Sequence, residues 1–298
     1  MLTTQQIDKL LTNSDDLFAN IYSFSFSPNA LPGKSHIGIS ISHQDQLELR
    51  DSFVRELKNT MCNWVYSKSR YNDLFNREFE KRNKDAANAS SQIQQLARDK
   101  FRKGHPQGQF GELLLFNLLQ HQFSAPPLLR KMPLTTNPAI ERHGSDAIHY
   151  RPSNNVHQLY LGEAKSYKSN YSFKKAIDDA ISSILTAYEN FHTELGLYTY
   201  DNFIEEPLRE IAEGIKENKL APITFDLVCI VSYNETKKKD GYSQAEIEQK
   251  IKDCLSKRLD KYTLPSIDSK KSTYLNKLHF IIMPIWDFET ILDGFQTA

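Results

Sequence analysis

The sequence predicts an α/β fold in which a mixed β-sheet is flanked by helices. Residues 145–150 and 156–165 form two strands around the polar turn 151–155. Residues 223–233 are nearly all apolar, which is typical of a central strand covered on both faces. Residues 172–192 between these strands carry apolar side chains at helical spacing. A hairpin, a crossover helix and a central strand together indicate layers of helix and sheet.

The first part of the chain predicts an α+β extension of this core. We expect a helix at 4–14 and strands at 21–27 and 36–43, where apolar and polar residues alternate. One long helix is expected at 44–79, with the apolar stripe Leu47, Phe53, Val54, Leu57, Met61, Trp64 and Val65. Residues 83–94 are polar, so the sequence predicts an extension at residues 1–95 and a core at residues 96–298.

The elements of the core follow in order along the chain. Helical spacing predicts helices at 108–122, 203–217 and 243–258. The last of these begins with Ser243 and Glu246, the pattern of a capping box. An apolar strand at 278–285 and a short helix after Asp287 complete the prediction.

The hairpin 145–165 carries the most informative polar residues. Asp146 lies on its first strand, and Glu163 and Lys165 lie at the end of its second strand. Strand side chains alternate between faces, so Glu163 and Lys165 point the same way, and a turn near residues 153–154 places Asp146 within reach of Glu163. Two converging carboxylates suit Mg²⁺. A lysine beside them can orient water or stabilise charge on a phosphate, which indicates metal-assisted phosphodiester hydrolysis.

The Glu-x-Lys pattern alone is not specific, because the chain contains five copies of it. Three other copies lie in segments with helical spacing, and the copy at Glu235 leads into a lysine-rich loop that we expect to be solvated. Only Glu163 ends an apolar strand beside a strand that carries an aspartate. The alternative interpretation is an edge-strand salt bridge between Lys165 and Glu163 or Asp146.

A third carboxylate, Glu112, lies on the apolar helix predicted at 108–122. It shares a helical face with Leu115, Phe116 and Leu119. A carboxylate on a face directed at the core is costly unless it is paired or binds metal. The alternative is a glutamate near the helix N-terminus, where the helix dipole favours negative charge.

The order of a helix Glu, a strand Asp and a strand Glu-x-Lys resembles the PD-(D/E)xK nuclease superfamily. Residues 144–149 are Gly-Ser-Asp-Ala-Ile-His and residues 161–165 are Leu-Gly-Glu-Ala-Lys. These segments resemble the HamA family, the nuclease subunits of the bacterial Hachiman antiphage system. The resemblance is concentrated in residues 105–195. Ser145 stands where the superfamily pattern has proline, at a position that varies.

The resemblance implies a restriction-endonuclease-like core and a DNA nuclease that requires Mg²⁺ (or Mn²⁺) and works with a superfamily 2 helicase. It assigns Asp146 and Glu163 as metal ligands, together with the Ala164 carbonyl, and Lys165 as the catalytic lysine. By position it also assigns Glu112 to the catalytic group. Two other functions stay open: a noncatalytic subunit that regulates or tethers a helicase, and a housekeeping nuclease of DNA repair.

The charge of the chain bears on nucleic-acid binding. The sequence has 37 Lys and Arg and 37 Asp and Glu, so its net charge is zero, whereas a free-standing nucleic-acid-binding protein is usually basic. A partner that supplies affinity would account for this neutrality, and residues 1–95 are the candidate docking surface. Positive charge is local at Lys168, Lys174 and Lys175, interleaved with Tyr167, Tyr171 and Phe173, which suits a phosphate backbone. The alternative is a loop of solvated lysines.

The remaining composition excludes several classes of protein. Cys62, Cys229 and Cys254 are widely spaced, so a zinc site built on cysteine pairs is not expected. A sparse, odd cysteine count fits the reducing cytoplasm. The sequence contains neither a signal peptide nor an apolar run of 18 residues, so we expect neither secretion nor a membrane span.

Overall fold

The computed structural model describes residues 2–101, 106–130, 144–169, 172–198 and 204–296. The strands in these ranges are β1 (Ile21–Phe26), β2 (Ser35–Ile41), β3 (His43–Gln44), β4 (Leu47–Glu48), β5 (Pro127–Leu129), β6 (Ala147–Ser153), β7 (Val156–Tyr167), β8 (Ile223–Asn234) and β9 (Leu278–Ile285). The α-helices are α1 (Thr4–Asp8), α2 (Asp15–Ala19), α3 (Arg50–Asn59), α4 (Met61–Val65), α5 (Lys68–Lys81), α6 (Ala86–Arg98), α7 (Pro106–Phe123), α8 (Phe173–Tyr198), α9 (Arg209–Lys216), α10 (Gln244–Leu259), α11 (Ser269–Ser272) and α12 (Phe288–Gln296).

Seven strands form one mixed sheet in the order β1-β2-β9-β8-β7-β6-β5. The four inner strands β2, β9, β8 and β7 are parallel, and the outer pairs β1/β2, β7/β6 and β6/β5 are antiparallel. β8 lies between β7 and β9, and its middle residues are buried. The predicted mixed α/β sheet with an apolar central strand is therefore confirmed.

The predicted hairpin of β6 and β7 is present, but β6 continues beyond its predicted end at residue 150 to Ser153, so the turn is shorter than expected. Ser153 pairs with Val156, and the two turn residues Asn154 and Asn155 have φ angles of 47° and 62°. Asparagine tolerates this left-handed backbone, and two such residues form the turn whose twist matches that of the flanking strands. The turn sets the register, in which Ala147 lies opposite Gly162.

The two faces of β7 contact different helices. Gly162 and Ala164 lie on the face covered by α7, where Leu115 packs over Gly162. Leu159 and Leu161 lie on the face covered by α8, whose predicted inward residues Ile177, Ile181, Ile184 and Phe191 are buried. The sheet thus separates two apolar cores, one under α3, α7 and α12 and the other under α8, α9 and α10.

The single helix predicted at 44–79 is wrong. Asp45, at a φ of 56°, turns the chain between β3 and β4, and the remainder is divided among α3, α4 and α5. Ser67 begins α5 by accepting a hydrogen bond from the Arg70 N–H, so the chain changes direction between α4 and α5. Leu47 is 69% exposed, while the other residues of the predicted stripe are buried.

Other N-terminal predictions also change. The helix expected at 4–14 ends at Asp8, because the Thr12 N–H donates to Gln120 Oε1 of α7 at 3.0 Å and draws the chain away from a helical path. The polar segment 83–94 contributes to α6, which Asp85 caps.

The strands of the proposed extension are not packed apart from the core. β2 pairs in parallel with β9, so β1 and β2 belong to the sheet that contains β6 and β7.

Within the described ranges, no helix is both long enough and apolar enough to cross a membrane.

We predict that Gly111→Ala destabilises the protein through the contact between α7 and β7. A Cβ at Gly111 would lie 2.6 Å from Ser166 Oγ and 3.2 Å from Ala164 Cβ. Such overpacking costs about 1–3 kcal/mol. The matched control is Gly108→Ala on the same helix, where the nearest atom is 3.9 Å away and alanine should stabilise the helix by about 0.5–1 kcal/mol. Urea unfolding of both variants measures the difference, and equal shifts would contradict the close packing of α7 on β7.

Candidate active site

Asp146 is held against β7 by two hydrogen bonds, just outside the β6–β7 ladder. Its N–H donates to the Gly162 carbonyl at 2.9 Å, and its Oδ2 accepts from the Ala164 N–H at 2.8 Å. The strand β7 does not end at residue 165 as predicted but continues to Tyr167. Because Ala147 lies opposite Gly162, the next residue outward, Asp146, is level with Glu163. The strand register therefore brings the two predicted carboxylates together.

Lys165 joins this pair, as strand alternation predicts. Its Nζ lies 2.7 Å from Glu163 Oε1. The Glu163 side chain is 7% exposed and the Lys165 side chain is 25% exposed, so the ammonium is the more accessible of the two groups. The Ser183 side chain on α8 lies near the Glu163 carboxylate and acts to lower its pKa. We name Asp146, Glu163 and Lys165 the carboxylate–lysine group.

Opposing effects act on the protons of this group. Burial and the nearby Asp146 carboxylate raise the pKa of Glu163 to about 8, and they outweigh the opposite effects of Lys165 and Ser183. Burial lowers the pKa of Lys165, but Glu163 and Asp146 more than offset it, so the pKa of the ammonium lies above its usual value. The lysine therefore keeps its charge, and the two carboxyl groups retain a proton near neutral pH.

The donor atoms fit a hard divalent cation. The Ala164 N–H points toward Asp146, and the carbonyl of the same strand residue points to the same side, beyond Ala147 where β6 begins. Two carboxylates and this carbonyl make a set of oxygen donors that suits Mg²⁺ or Mn²⁺. Burial and the nearby Asp146 carboxylate raise the pKa of Glu163 in spite of Lys165, and a cation bound there would favour the ionised form.

Glu112 is not brought into this set. It lies on α7, which packs on the face of β7 opposite α8, with Gly111 against Ser166. Across the described residues, no group of three or more His, Cys, Asp or Glu side chains is placed to hold a metal ion. α7 is buried nearly all round, so its apolar spacing does not single out one face. A catalytic role for Glu112 stays a prediction.

The three candidate nucleic-acid lysines are exposed, and each has a neighbour in the fold. Lys168 Nζ lies 3.2 Å from Glu289 Oε1, and Lys174 Nζ donates to the Thr263 carbonyl at 3.0 Å. Lys175 Nζ lies 6.0 Å from the centre of the Tyr167 ring. Phosphate binding by Lys168 and Lys174 would compete with these surface contacts, so the assignment of the three lysines stays a prediction.

The aromatic residues between these lysines differ in role from the expectation. Phe173 is buried, with its ring centre 4.7 Å from that of Tyr233, so it belongs to the core and is not available for stacking on bases. The Tyr167 hydroxyl donates to the Asp179 carboxylate of α8. Tyr171 lies outside the described residues.

Glu235 does not lie in a solvated loop, as its sequence context suggested. It is buried, and its carboxylate accepts hydrogen bonds from Arg258 at 2.7 and 3.0 Å and from the Thr236 and Lys237 N–H groups. Burial acts to raise the pKa of Glu235, but these hydrogen bonds lower it below its usual value. The partner Arg258 follows 23 residues later, so the local sequence gave no sign of it.

Two further residues next to the carboxylate–lysine group were missed. Ser183 lies on α8 between the apolar positions 181 and 184. A polar residue beside the inward apolar stripe of this helix was the feature of the sequence that could have indicated it. Cys229 of β8 pairs in register with Glu163 and is fully buried. Burial raises the pKa of the Cys229 thiol, so it is a neutral neighbour.

A family model described as HamA matches residues 15–298, which is nearly the whole chain. The match includes every residue of the carboxylate–lysine group and spans the predicted boundary at residue 95. No curated protein matches the chain.

We predict that Glu163→Gln changes how stability depends on pH. The folded protein retains a proton on Glu163 up to about pH 8, whereas the unfolded chain loses it near the ordinary value of 4.5. Stability of the wild type without divalent ions should therefore fall as pH rises through this window. Glutamine cannot ionise, so the stability of the variant should lack this dependence on pH. The difference in stability should therefore shift in favour of the variant as the pH approaches 8.

Urea unfolding between pH 4.5 and 8.5 in the presence of EDTA measures this effect. The matched control is Glu210→Gln, at an exposed position on α9. Parallel stability curves for wild type and Glu163→Gln would show that Glu163 ionises normally in the folded protein.

Proposed function

The chain belongs to the HamA family, and we propose that it is a metal-dependent DNA nuclease that acts in antiphage defence with a helicase partner. Family membership supports the defence role. The observation that supports hydrolysis is the carboxylate–lysine group, in which the buried Glu163 and the partly buried Asp146 lie beside a charged lysine where the β6–β7 ladder ends. The order of these residues along β6 and β7 is the PD-(D/E)xK order, which supports a nuclease of that superfamily.

In this proposal Asp146, Glu163 and the Ala164 carbonyl would hold Mg²⁺ or Mn²⁺. A divalent cation held there would lower the pKa of water and offset negative charge on the phosphate. The Ala164 N–H holds one Asp146 oxygen and Ser183 contacts Glu163, so both carboxylates are oriented before any cation binds. Such orientation reduces the reorganisation that metal binding requires.

Lys165 supplies a proton-bearing cation next to the carboxylates. Its pKa lies above the usual value, so it does not act as a base near neutral pH. As a donor it can hydrogen-bond a phosphate oxygen or align the attacking water. Its pairing with Glu163 fixes the direction of its side chain, and its partial exposure lets a backbone phosphate reach it.

The helicase partner is proposed from the family and from what the sequence lacks. Net charge is zero, and the sequence has no GxxxxGK[ST] loop for nucleotide binding. A partner would supply DNA loading and ATP-driven control of the nuclease. Residues 1–95 remain the proposed docking surface. Deleting them is not a clean test, because β1 and β2 belong to the central sheet. Substitutions of exposed residues in this part are the suitable probes.

We predict that Glu163→Ala and Lys165→Ala abolish DNA cleavage while the protein stays folded. Glu163→Ala removes a metal ligand, whereas Lys165→Ala removes the donor and leaves both carboxylates. Calorimetric titration with Mn²⁺ should therefore show lost binding for the first variant and retained binding for the second. Cleavage is measured on plasmid and linear DNA with Mg²⁺ or EDTA, with and without a co-expressed helicase partner.

The control for this experiment is Lys219→Ala. Lys219 forms the same type of Glu-x-Lys ion pair on the surface, with Nζ 2.5 Å from Glu217 Oε2. Cleavage by a folded Glu163→Ala protein, or cleavage that resists EDTA, would contradict the proposed chemistry. Absence of Mn²⁺ binding and of cleavage by the wild type under every condition would favour the noncatalytic helicase subunit.

We also predict that replacing Lys168, Lys174 and Lys175 with alanine weakens DNA binding and flattens its dependence on salt. Each lost phosphate contact reduces the number of counterions released, so the slope of log K against log salt should fall by about 0.7–0.9 per contact. Fluorescence anisotropy at several salt concentrations measures the slope. The matched control replaces Lys216, Lys219 and Lys270, and an identical slope for both triple variants would show that the three candidate lysines are merely solvated.

A further inference from the structure

A buried glutamate outside the carboxylate–lysine group contacts the residue next to Asp146. Glu194 lies on α8 and is 6% exposed. Its Oε2 accepts two hydrogen bonds from Ser145, one from the N–H and one from the hydroxyl, each at 3.1 Å. Burying a carboxylate is costly unless hydrogen bonds compensate, so Glu194 and the Ser145 donors stabilise each other's positions.

The chain before Asp146 is shaped to approach this carboxylate. Gly144 has a φ of 97°, and a Cβ built on it would lie 2.5 Å from Glu194 Cδ. A side chain at this position would collide with the carboxylate, and the backbone angle itself strains any other residue. Glycine therefore lets the backbone pass close enough for Ser145 to donate both hydrogen bonds.

These contacts act where the strand ladder ends. β6 begins at Ala147, so Asp146 lies outside it and is held on one side by β7, through the Gly162 carbonyl and the Ala164 N–H. Ser145, the residue that precedes Asp146, is held by Glu194. We propose that Glu194 is a positioning residue, which keeps Asp146 oriented toward Ala164 through its two hydrogen bonds with Ser145.

Helix α8 would then orient both carboxylates of the pair. Ser183 lies near Glu163 and favours its ionised form, and Glu194, three turns later on the same helix, holds the segment that carries Asp146. The consequence for metal binding rests on the proposed function. Loss of a residue that orients a metal ligand typically weakens metal binding by about 10–100-fold.

The first test does not depend on metal. Because Asp146 Oδ2 accepts from the Ala164 N–H, amide hydrogen exchange at Ala164, followed by NMR, reports whether Asp146 is in place. Glu194→Ala should remove the protection of this amide, as Asp146→Ala should, while Glu194→Gln keeps an acceptor for Ser145 and should retain most of the protection. The control is Glu189→Ala on α8, where Glu189 pairs with Lys271.

The second measurement is Mn²⁺ affinity by calorimetry on the same folded variants, with a fall of about 10–100-fold expected for Glu194→Ala and little change for Glu194→Gln or Glu189→Ala. If Glu194→Ala does not fold, Ser145→Ala removes one of the two hydrogen bonds and should cause a partial loss of Ala164 protection. Full protection of Ala164 in Glu194→Ala, or in Ser145→Ala where that variant stands in for it, overturns the positioning role. Absence of Mn²⁺ binding by the wild type overturns the proposed function instead, and the exchange experiment still decides the role of Glu194.

Discussion

Negative charge buried between β6 and β7 is the constraint on which the candidate site depends. Asp146 and Glu163 are level with one another where the β6–β7 ladder ends, and Glu163 is buried beneath α8. Two carboxylates so placed repel each other, and burial increases the cost of ionising both. The hydrogen bond from the Ala164 N–H to Asp146, the nearby Ser183 side chain and the ammonium of Lys165 reduce this cost without removing it, as the raised pKa of Glu163 indicates. A bound divalent cation would favour the ionised form of both carboxylates, so the pair is suited to binding one.

The alternation of side chains along β7 divides its roles between the two faces of the sheet. Gly162 and Ala164 are small residues under α7, where Leu115 and Gly111 pack closely. Glu163 and Lys165 face α8, with Leu159 and Leu161 preceding them on that face. The segment Leu-Gly-Glu-Ala-Lys therefore combines a packing requirement with a chemical one, and a shift of one residue in the register would exchange them.

The features that local sequence determines were predictable. The turn at Asn154 and Asn155 and the period-2 pattern around it specify the β6–β7 hairpin, and that hairpin alone brings Asp146 to Glu163. Features that depend on residues distant in sequence were not predictable. Thr12 leaves its predicted helix to bind Gln120, Glu235 is buried by its pairing with Arg258, and Glu194 contacts Ser145 from 49 residues away. The placement of Glu112 also depended on tertiary packing, because α7 is buried nearly all round and its sequence does not indicate which side meets β7.

Comparison of two Glu-x-Lys pairs shows why the motif by itself did not identify a site. Lys219 Nζ lies 2.5 Å from Glu217 Oε2 on the surface, and Lys165 Nζ lies 2.7 Å from Glu163 Oε1. The ion-pair geometry is nearly the same, but the effects on the acids are opposite. The hydrogen bond with Lys219 lowers the pKa of the exposed Glu217, whereas burial and Asp146 raise the pKa of Glu163 in spite of Lys165. A salt bridge at Glu163 is therefore present, as the simpler interpretation of the sequence expected, yet it does not account for the site. What distinguishes this pair is a second carboxylate and the burial of Glu163, and both come from the hairpin and its packing rather than from the three-residue motif.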